Sequence, residues 1–392
     1  MLGITLLLKI LFIIILIESI LFLLVKSFKK DFKWIITKED EFPFKSKDNF
    51  EEFFKNSFDR KLGWDRKKNT LGYEKLDKKL TSYKILKNGS RNSKLKNKKS
   101  YISVFGDSYA FCRYSNDEDT WESFLECKIN SSVKNYGVGN FGLDQSFLKY
   151  KKIKLKNSTK IIIFAFVPET ISRINSYWKH YSEFGNKLGF QPVYKFKQNS
   201  LKLFKNPLNK PIKMFELKNK INEIKKIDDF YLRRFLKYMF KFPFILTYFK
   251  SFQRNNIIFL NLIFFKILKL INNSKKKYFF LNCYNQIIKD NIYDSDQMYK
   301  EYKYQIHFEK LMYKINTSVT KRKRECIFLI LPQLHDLKLM KKKNSNAQYF
   351  FQKCAKKYNF NVLDLSAKFF SKKGYQSFFL EDKYGGHLSR KG

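Results

Sequence analysis

The sequence predicts an α/β fold, a doubly wound parallel sheet carrying a helical insertion and preceded by an apolar N-terminal helix. Three observations lead there. Short runs rich in β-branched and aromatic residues, at 101–105, 161–166 and 325–331, read as buried strands. Amphipathic stretches of helical length separate them. Residues 2–25 are almost entirely apolar. Strands without a polar face belong in a sheet covered on both sides, which is the habit of parallel sheets joined by helices.

About twenty apolar residues are needed to cross a bilayer, and residues 2–25 suffice, with Lys9 and Glu18 as the charged interruptions. Lys9 can extend its stem toward an interface. Glu18 is costly at that depth, and its spacing from Lys9 is too long for a pair on one helix face. No basic segment precedes the run and no small-x-small site follows it, so 1–26 reads as an uncleaved single-pass anchor rather than a signal peptide. Lys26, Lys29, Lys30 and Lys33 follow the span, which by the positive-inside rule keeps the body cytoplasmic. Lysine is so abundant throughout that this excess leaves the side of the membrane open.

Residues 27–98 read as a lead-in and linker, with 50–58 and Gly63-Trp64-Asp65 packing locally and 86–100 forming a Lys/Asn/Ser-rich loop. The first part of the α/β domain spans 99–173. In it, residues 121–128 read as a helix with Trp121, Phe124 and Leu125 on one face. After Pro168 the strand–helix alternation stops, and 174–320 reads as an insertion too long for a simple loop. Its apolar runs at 235–249 and 257–270 suggest a helical cap over the active site, resting on the membrane, or else the core packing of an ordinary subdomain; the second run is too short to span, and Arg254, Lys266 and Lys269 oppose insertion. Alternation returns with a helix at 302–319 and continues through the domain's second part, 321–392. There Ser345 is placed to cap a helix over 345–358, and a strand follows at 361–365.

The chain of 392 residues carries 79 basic and 35 acidic side chains, a formal charge of +44. Such a balance ordinarily suggests nucleic acid or anionic membrane. The lysines are spread evenly among abundant Asn, Ile, Phe and Tyr, so a compositional bias explains them better than a focused patch, and no nucleic-acid partner is expected. The five cysteines are scattered with no Cys-x-x-Cys pair, leaving no motif for a metal or a redox centre. No cofactor is expected.

The chemistry concentrates at three places. Gly106-Asp107-Ser108 ends a strand and opens a helix, which sets the Ser108 hydroxyl at the carboxyl edge of the sheet, where open α/β sheets place their ligands. Asn135-Tyr-Gly-Val-Gly-Asn-Phe-Gly-Leu-Asp-Gln145 follows at a distance of one helix and one strand. Near the C-terminus stands Asp382-Lys-Tyr-Gly-Gly-His387, in which His387 lies in a Gly-flanked polar loop. His180, His307 and His335 have no visible partner and read as structural.

These three blocks, in this chain order, resemble the SGNH (GDSL-type) hydrolase superfamily over roughly 99–173 and 324–392. The resemblance implies a flavodoxin-like sheet with Ser108 as nucleophile, His387 as base, and a carboxylate orienting the imidazole. In that family the carboxylate usually stands three residues before the histidine; here that position is Tyr384, and Asp382 lies five before. The Gly385-Gly386 pair can let a longer loop bring Asp382 back; otherwise Ser108 and His387 work as a dyad oriented by a backbone carbonyl. The implied oxyanion hole is the backbone N–H of Ser108 with that of Gly139 or Asn140. The family's Gly-x-Asn-Asp block is replaced by Val167-Pro-Glu-Thr170, so its Asn donor is missing, and Asn175 is not expected to substitute. The chain stops at Gly392, a few residues after His387, where this fold continues into a last helix, and so reads as truncated.

The function expected from the resemblance is a membrane-anchored serine esterase, lipase-like hydrolase or O-acyltransferase acting on acyl esters of glycan or lipid. The rival expectation is a non-catalytic glycan- or lipid-binding membrane protein that retains the SGNH fold.

Overall fold

The computed structural model describes residues 2–44, 48–95, 97–210, 216–342 and 345–392. The chain divides into two compact units, one of Met1–Lys47, Trp178–Leu188 and Lys218–Ile287, the other of Asp48–Tyr177, Gly189–Leu217 and Ile288–Gly392. The elements that matter for function are, in chain order, α1 (Leu2–Asp31), β1 (Ser100–Gly106), α2 (Ser108–Phe111), α3 (Trp121–Ile129), β2 (Ser132–Asn135), α4 (Leu143–Lys152), β3 (Ile161–Phe166), α5 (Phe244–Phe249), α6 (Phe252–Leu270), α7 (Tyr302–Thr320), β4 (Glu325–Ile330), α8 (Asn346–Tyr358) and β5 (Asn361–Asp364).

The second unit is built on a five-stranded, wholly parallel sheet in the order β2-β1-β3-β4-β5. Register sets Phe105, Phe164 and Phe328 side by side across β1, β3 and β4, and Val104, Ile163 and Ile327 beside one another on the opposite face. On the phenylalanine face, Tyr150 of α4 meets Phe105 and Phe164 edge-on, while Phe308 of α7 and Phe351 of α8 pack on Phe166. The other face takes Trp121 and Leu125 of α3. Each fully buried aromatic or aliphatic side chain here contributes about 1.5–3 kcal/mol. Phe124, expected on the packing face of α3, is instead exposed. Glu122, Ser123 and Glu126 take the buried positions, and Glu126 accepts the N–H groups of Val133 and Leu95.

The chain runs from β1 outward to β2 and then back across β1 to β3, which makes the carboxyl ends of β1 and β3 the switch point of the sheet. Gly106 closes β1 there because a Cβ would overlap the Ala165 carbonyl oxygen of β3 and sit 2.6 Å from the Ala110 Cβ. Gly106→Ala is therefore expected to destabilise the fold by about 3 kcal/mol through overpacking. A lowered melting temperature by circular dichroism checks this, and an unchanged one contradicts it.

Two boundaries differ from the sequence reading. The stretch expected as lead-in and linker contributes an antiparallel hairpin, Thr70–Leu76 with Lys79–Ile85, to the second unit. Within the expected loop at 86–100, of which Lys96 lies outside the described residues, Arg91 is buried. It donates to the carbonyls of Phe111, Cys112 and Ser115 and pairs with Asp117 at 2.8 Å. The insertion expected as one cap over 174–320 is shared between the two units. The reason is visible in α7, whose Phe308, Leu311, Met312, Ile315 and Val319 form a fully buried stripe. That makes α7 the crossover helix leading into β4.

In the first unit, α1 is long and apolar enough from Ile4 to Asp31 to cross a membrane. Its outward side chains from Ile4 to Ile17 are exposed, whereas Val25, Phe28 and Phe32 are buried among Ile258, Phe259 and Leu262 of α6. Lys266 and Lys269, which counted against insertion of α6, pair with Asp31 at 2.8 and 2.6 Å. Glu18, isolated in the sequence, accepts the backbone N–H groups of Phe244 and Ile245 at the start of α5.

Candidate active site

Asp107 caps α2: its Oδ1 accepts the Tyr109 N–H at 2.9 Å. Its Oδ2 accepts the Val167 N–H at 3.1 Å and a guanidinium N–H of Arg173 at 3.2 Å. Arg173 also reaches Glu169 at 3.4 Å. A fully buried carboxylate is tolerable only when its charge is matched and its oxygens are bonded, and Asp107 meets both conditions. The consequence is mechanical. Asp107 ties the end of β1 to the end of β3, and Ser108, the next residue, is held where the two strands finish.

The C-terminal loop brings the other two residues to Ser108. Gly385 and Gly386 both have φ of +92°, a conformation that side chains disfavour, and they fold the loop back on Asp382. The carboxylate collects the N–H of Tyr384 at 2.6 Å and of Gly386 at 3.3 Å on Oδ1, and the N–H of His387 at 3.0 Å on Oδ2. The same Oδ2 lies 2.7 Å from His387 Nδ1, and His387 Nε2 lies 2.9 Å from Ser108 Oγ. All three residues are buried. Burial pushes the Asp382 carboxyl upward, but the facing imidazole and the backbone donors outweigh it and hold it down at about 2. An ionised Asp382 fixes the proton on Nδ1 and leaves Nε2 as an acceptor toward the Ser108 hydroxyl. The five-residue spacing thus brings the Asp382 carboxylate, rather than a backbone carbonyl, against the imidazole Nδ1.

Tyr109 locks this loop to α2. Its hydroxyl donates to the Gly386 carbonyl at 2.6 Å, and its ring centroid lies 5.1 Å from that of His387. Tyr109→Phe leaves the buried carbonyl unpaired, a cost of about 1–3 kcal/mol. The expected outcome is a lowered melting temperature together with a reduced rate of reaction at Ser108. A variant with both quantities unchanged contradicts a positioning role.

The chain leaves β2 still bonded to β1, with the Tyr136 N–H on the Val104 carbonyl at 2.8 Å and the Val138 N–H on the Gly106 carbonyl at 3.0 Å. Gly137 lies so close to α2 that a Cβ would stand 2.5 Å from the Phe111 nitrogen. Gly139 and Asn140 come next, Asn140 with φ of +63°. Trp64 Nε1 donates to the Gly139 carbonyl at 3.0 Å, which fixes the turn. Among the described residues, no acceptor takes the backbone N–H of Ser108, Gly139 or Asn140.

The segment after β3 is engaged within the fold. Glu169 is bonded to Arg173, and the Thr170 hydroxyl accepts the Leu143 N–H at 3.0 Å. Asn175 donates to the Ile171 carbonyl at 2.7 Å and faces His307 Nδ1 at 2.9 Å. His180 is packed against the Asp40 carbonyl at 2.8 Å, and burial lowers it, like His335, to about 4. Among the described residues no three of His, Cys, Asp and Glu converge as metal ligands.

Sequence reasoning missed Asp107 as a brace, although an Asp immediately before a helix is an N-cap signal. It also missed Arg173, Tyr109 and Trp64, for which local sequence offers none. No known family model and no curated protein matches the chain.

Proposed function

We propose that this chain is a membrane-anchored serine hydrolase of SGNH type that cleaves or transfers acyl esters. The observation that carries the reading is the relay Ser108 Oγ–His387 Nε2–Asp382, at 2.9 and 2.7 Å, at the switch point of the sheet. The order β2-β1-β3-β4-β5 supports the flavodoxin-like form of the sheet, and the available N–H groups beside Ser108 support an oxyanion hole.

In this reading Ser108 Oγ attacks the ester carbonyl while Nε2 of His387 takes the hydroxyl proton. Asp382 stabilises the imidazolium so formed. The carbonyl oxygen gathers negative charge and is met by the N–H groups of Ser108, Gly139 and Asn140. Collapse expels the alcohol, which takes the proton from Nε2 and leaves the acyl group on Ser108. Water or a sugar hydroxyl, deprotonated by His387, then removes it. Because the family's Asn donor is replaced, oxyanion stabilisation rests on backbone groups alone; one donor fewer costs about 10²–10³ in rate, which fits a slow enzyme with a reactive ester. An apolar N-terminal span favours substrates delivered at a membrane, lipid or membrane-linked glycan esters.

The test is release of alcohol from short-chain aryl esters and of acetate from O-acetylated glycan by the detergent-solubilised chain. Turnover that disappears with His387→Ala supports the reading. No turnover by a folded chain that binds glycan or lipid favours a non-catalytic binding protein instead.

A further inference from the structure

We infer that α5 lies in the membrane interface beside α1, its apolar side chains in the lipid, so that the chain grips the bilayer at a second place besides its span. The inference rests on α1 being a membrane span, and it concerns a segment of the first unit outside the candidate active site.

The apolar surface is continuous. Phe242, Leu246 and Phe249 are 75%, 67% and 60% exposed, far more than a helix packed only against protein requires. They adjoin the exposed apolar side of α1, because Phe244 meets Phe22 edge-on at 5.6 Å and Glu18 holds the N–H groups of Phe244 and Ile245. Glu18 precedes Lys26, the first charge after it, by eight residues, roughly 12 Å along a helix. If Lys26 marks the headgroup level, α5 begins roughly 12 Å below it, just past the inner edge of the zone about 5–10 Å deep where interfacial helices lie.

The backbone chemistry suits that depth. A helix opens with N–H groups that no turn precedes, and in hydrocarbon each unsatisfied one costs several kcal/mol. Pro243 just before α5 has no N–H, and the next two are taken by the Glu18 carboxylate. The same contact explains Glu18, since a carboxylate inside an apolar span persists only with a partner. Lys241 and Lys250 flank α5 at its two ends and have stems long enough to reach anionic headgroups.

The experiment places fluorophenylalanine singly at Phe12, Phe249 or Phe370 of the full chain in phosphatidylcholine–phosphatidylglycerol nanodiscs. It reads fluorine line broadening by a nitroxide on the lipid acyl chain and by a gadolinium chelate in water. Phe12 and Phe249 are expected to broaden several-fold with the lipid nitroxide, and Phe370 with gadolinium. Phe249 following Phe370 while Phe12 keeps its lipid contact overturns the inference and leaves the span intact. Phe249 shielded from both agents also overturns it, pointing to a protein surface such as a second copy. Phe12 broadened by gadolinium alone overturns the span and the inference together.

Discussion

Ser108→Ala is expected to lower ester turnover by ~10⁴-fold or more, the loss seen when a triad serine is removed while binding and oxyanion donors remain. The change deletes one oxygen and leaves α2, its Asp107 cap and the Tyr109–Gly386 bond in place. Folding should survive, because the lost Ser108–His387 hydrogen bond is worth about 1 kcal/mol. The loss should therefore fall on kcat with KM nearly unchanged, measured beside a circular dichroism spectrum like that of the parent chain. Turnover that persists in Ser108→Ala means that a different group performs the chemistry.

Asp382→Asn is expected to cost about 10⁴ in kcat by presenting the wrong imidazole tautomer. An amide at this position can donate to Nδ1, which moves the ring proton to Nε2 and turns it, as a donor, toward Ser108. The same carboxylate links the loop to pH. Its folded value of about 2 lies below the ordinary 3.8. Ionised Asp382 therefore adds about 2 kcal/mol of stability that is fully present above pH ~4 and disappears as pH falls toward ~2. Acid unfolding should show the parent chain losing its advantage over Asp382→Asn across that window. A constant difference between the two from pH ~6 to pH ~2 contradicts the assignment.

Much of the sheet was legible because its strands advertise burial on both faces: Ile161–Phe166, and Glu325–Ile330 after its first residue, have no polar side to hide. Ser108 and His387 were legible for a local reason each, a strand broken by Gly-Asp and a histidine flanked by glycines. Asp382 needed more, since the two positive-φ glycines fold a five-residue separation back so that the carboxylate meets the imidazole. What remained hidden depends on distant partners. Arg91 sits in a lysine-rich stretch that looks solvated, and only the carbonyls of Phe111, Cys112 and Ser115 explain its burial. Glu18 looked like a fault in an apolar run until a helix start more than two hundred residues away supplied its partners. The division of the insertion has no local signal: 178–188 and 218–287 pack in the first unit, while 189–217 and 288–320 pack in the second, and only distant partners decide which.

The proposed function requires Ser108 to be an activated nucleophile held by His387 and Asp382. Fluorophosphonate labelling of the detergent-solubilised full chain, with the adduct located by peptide mass spectrometry, tests it most directly. A single adduct on Ser108 that His387→Ala abolishes is the expected result. A folded chain that takes no label, or one labelled at another residue, would contradict it.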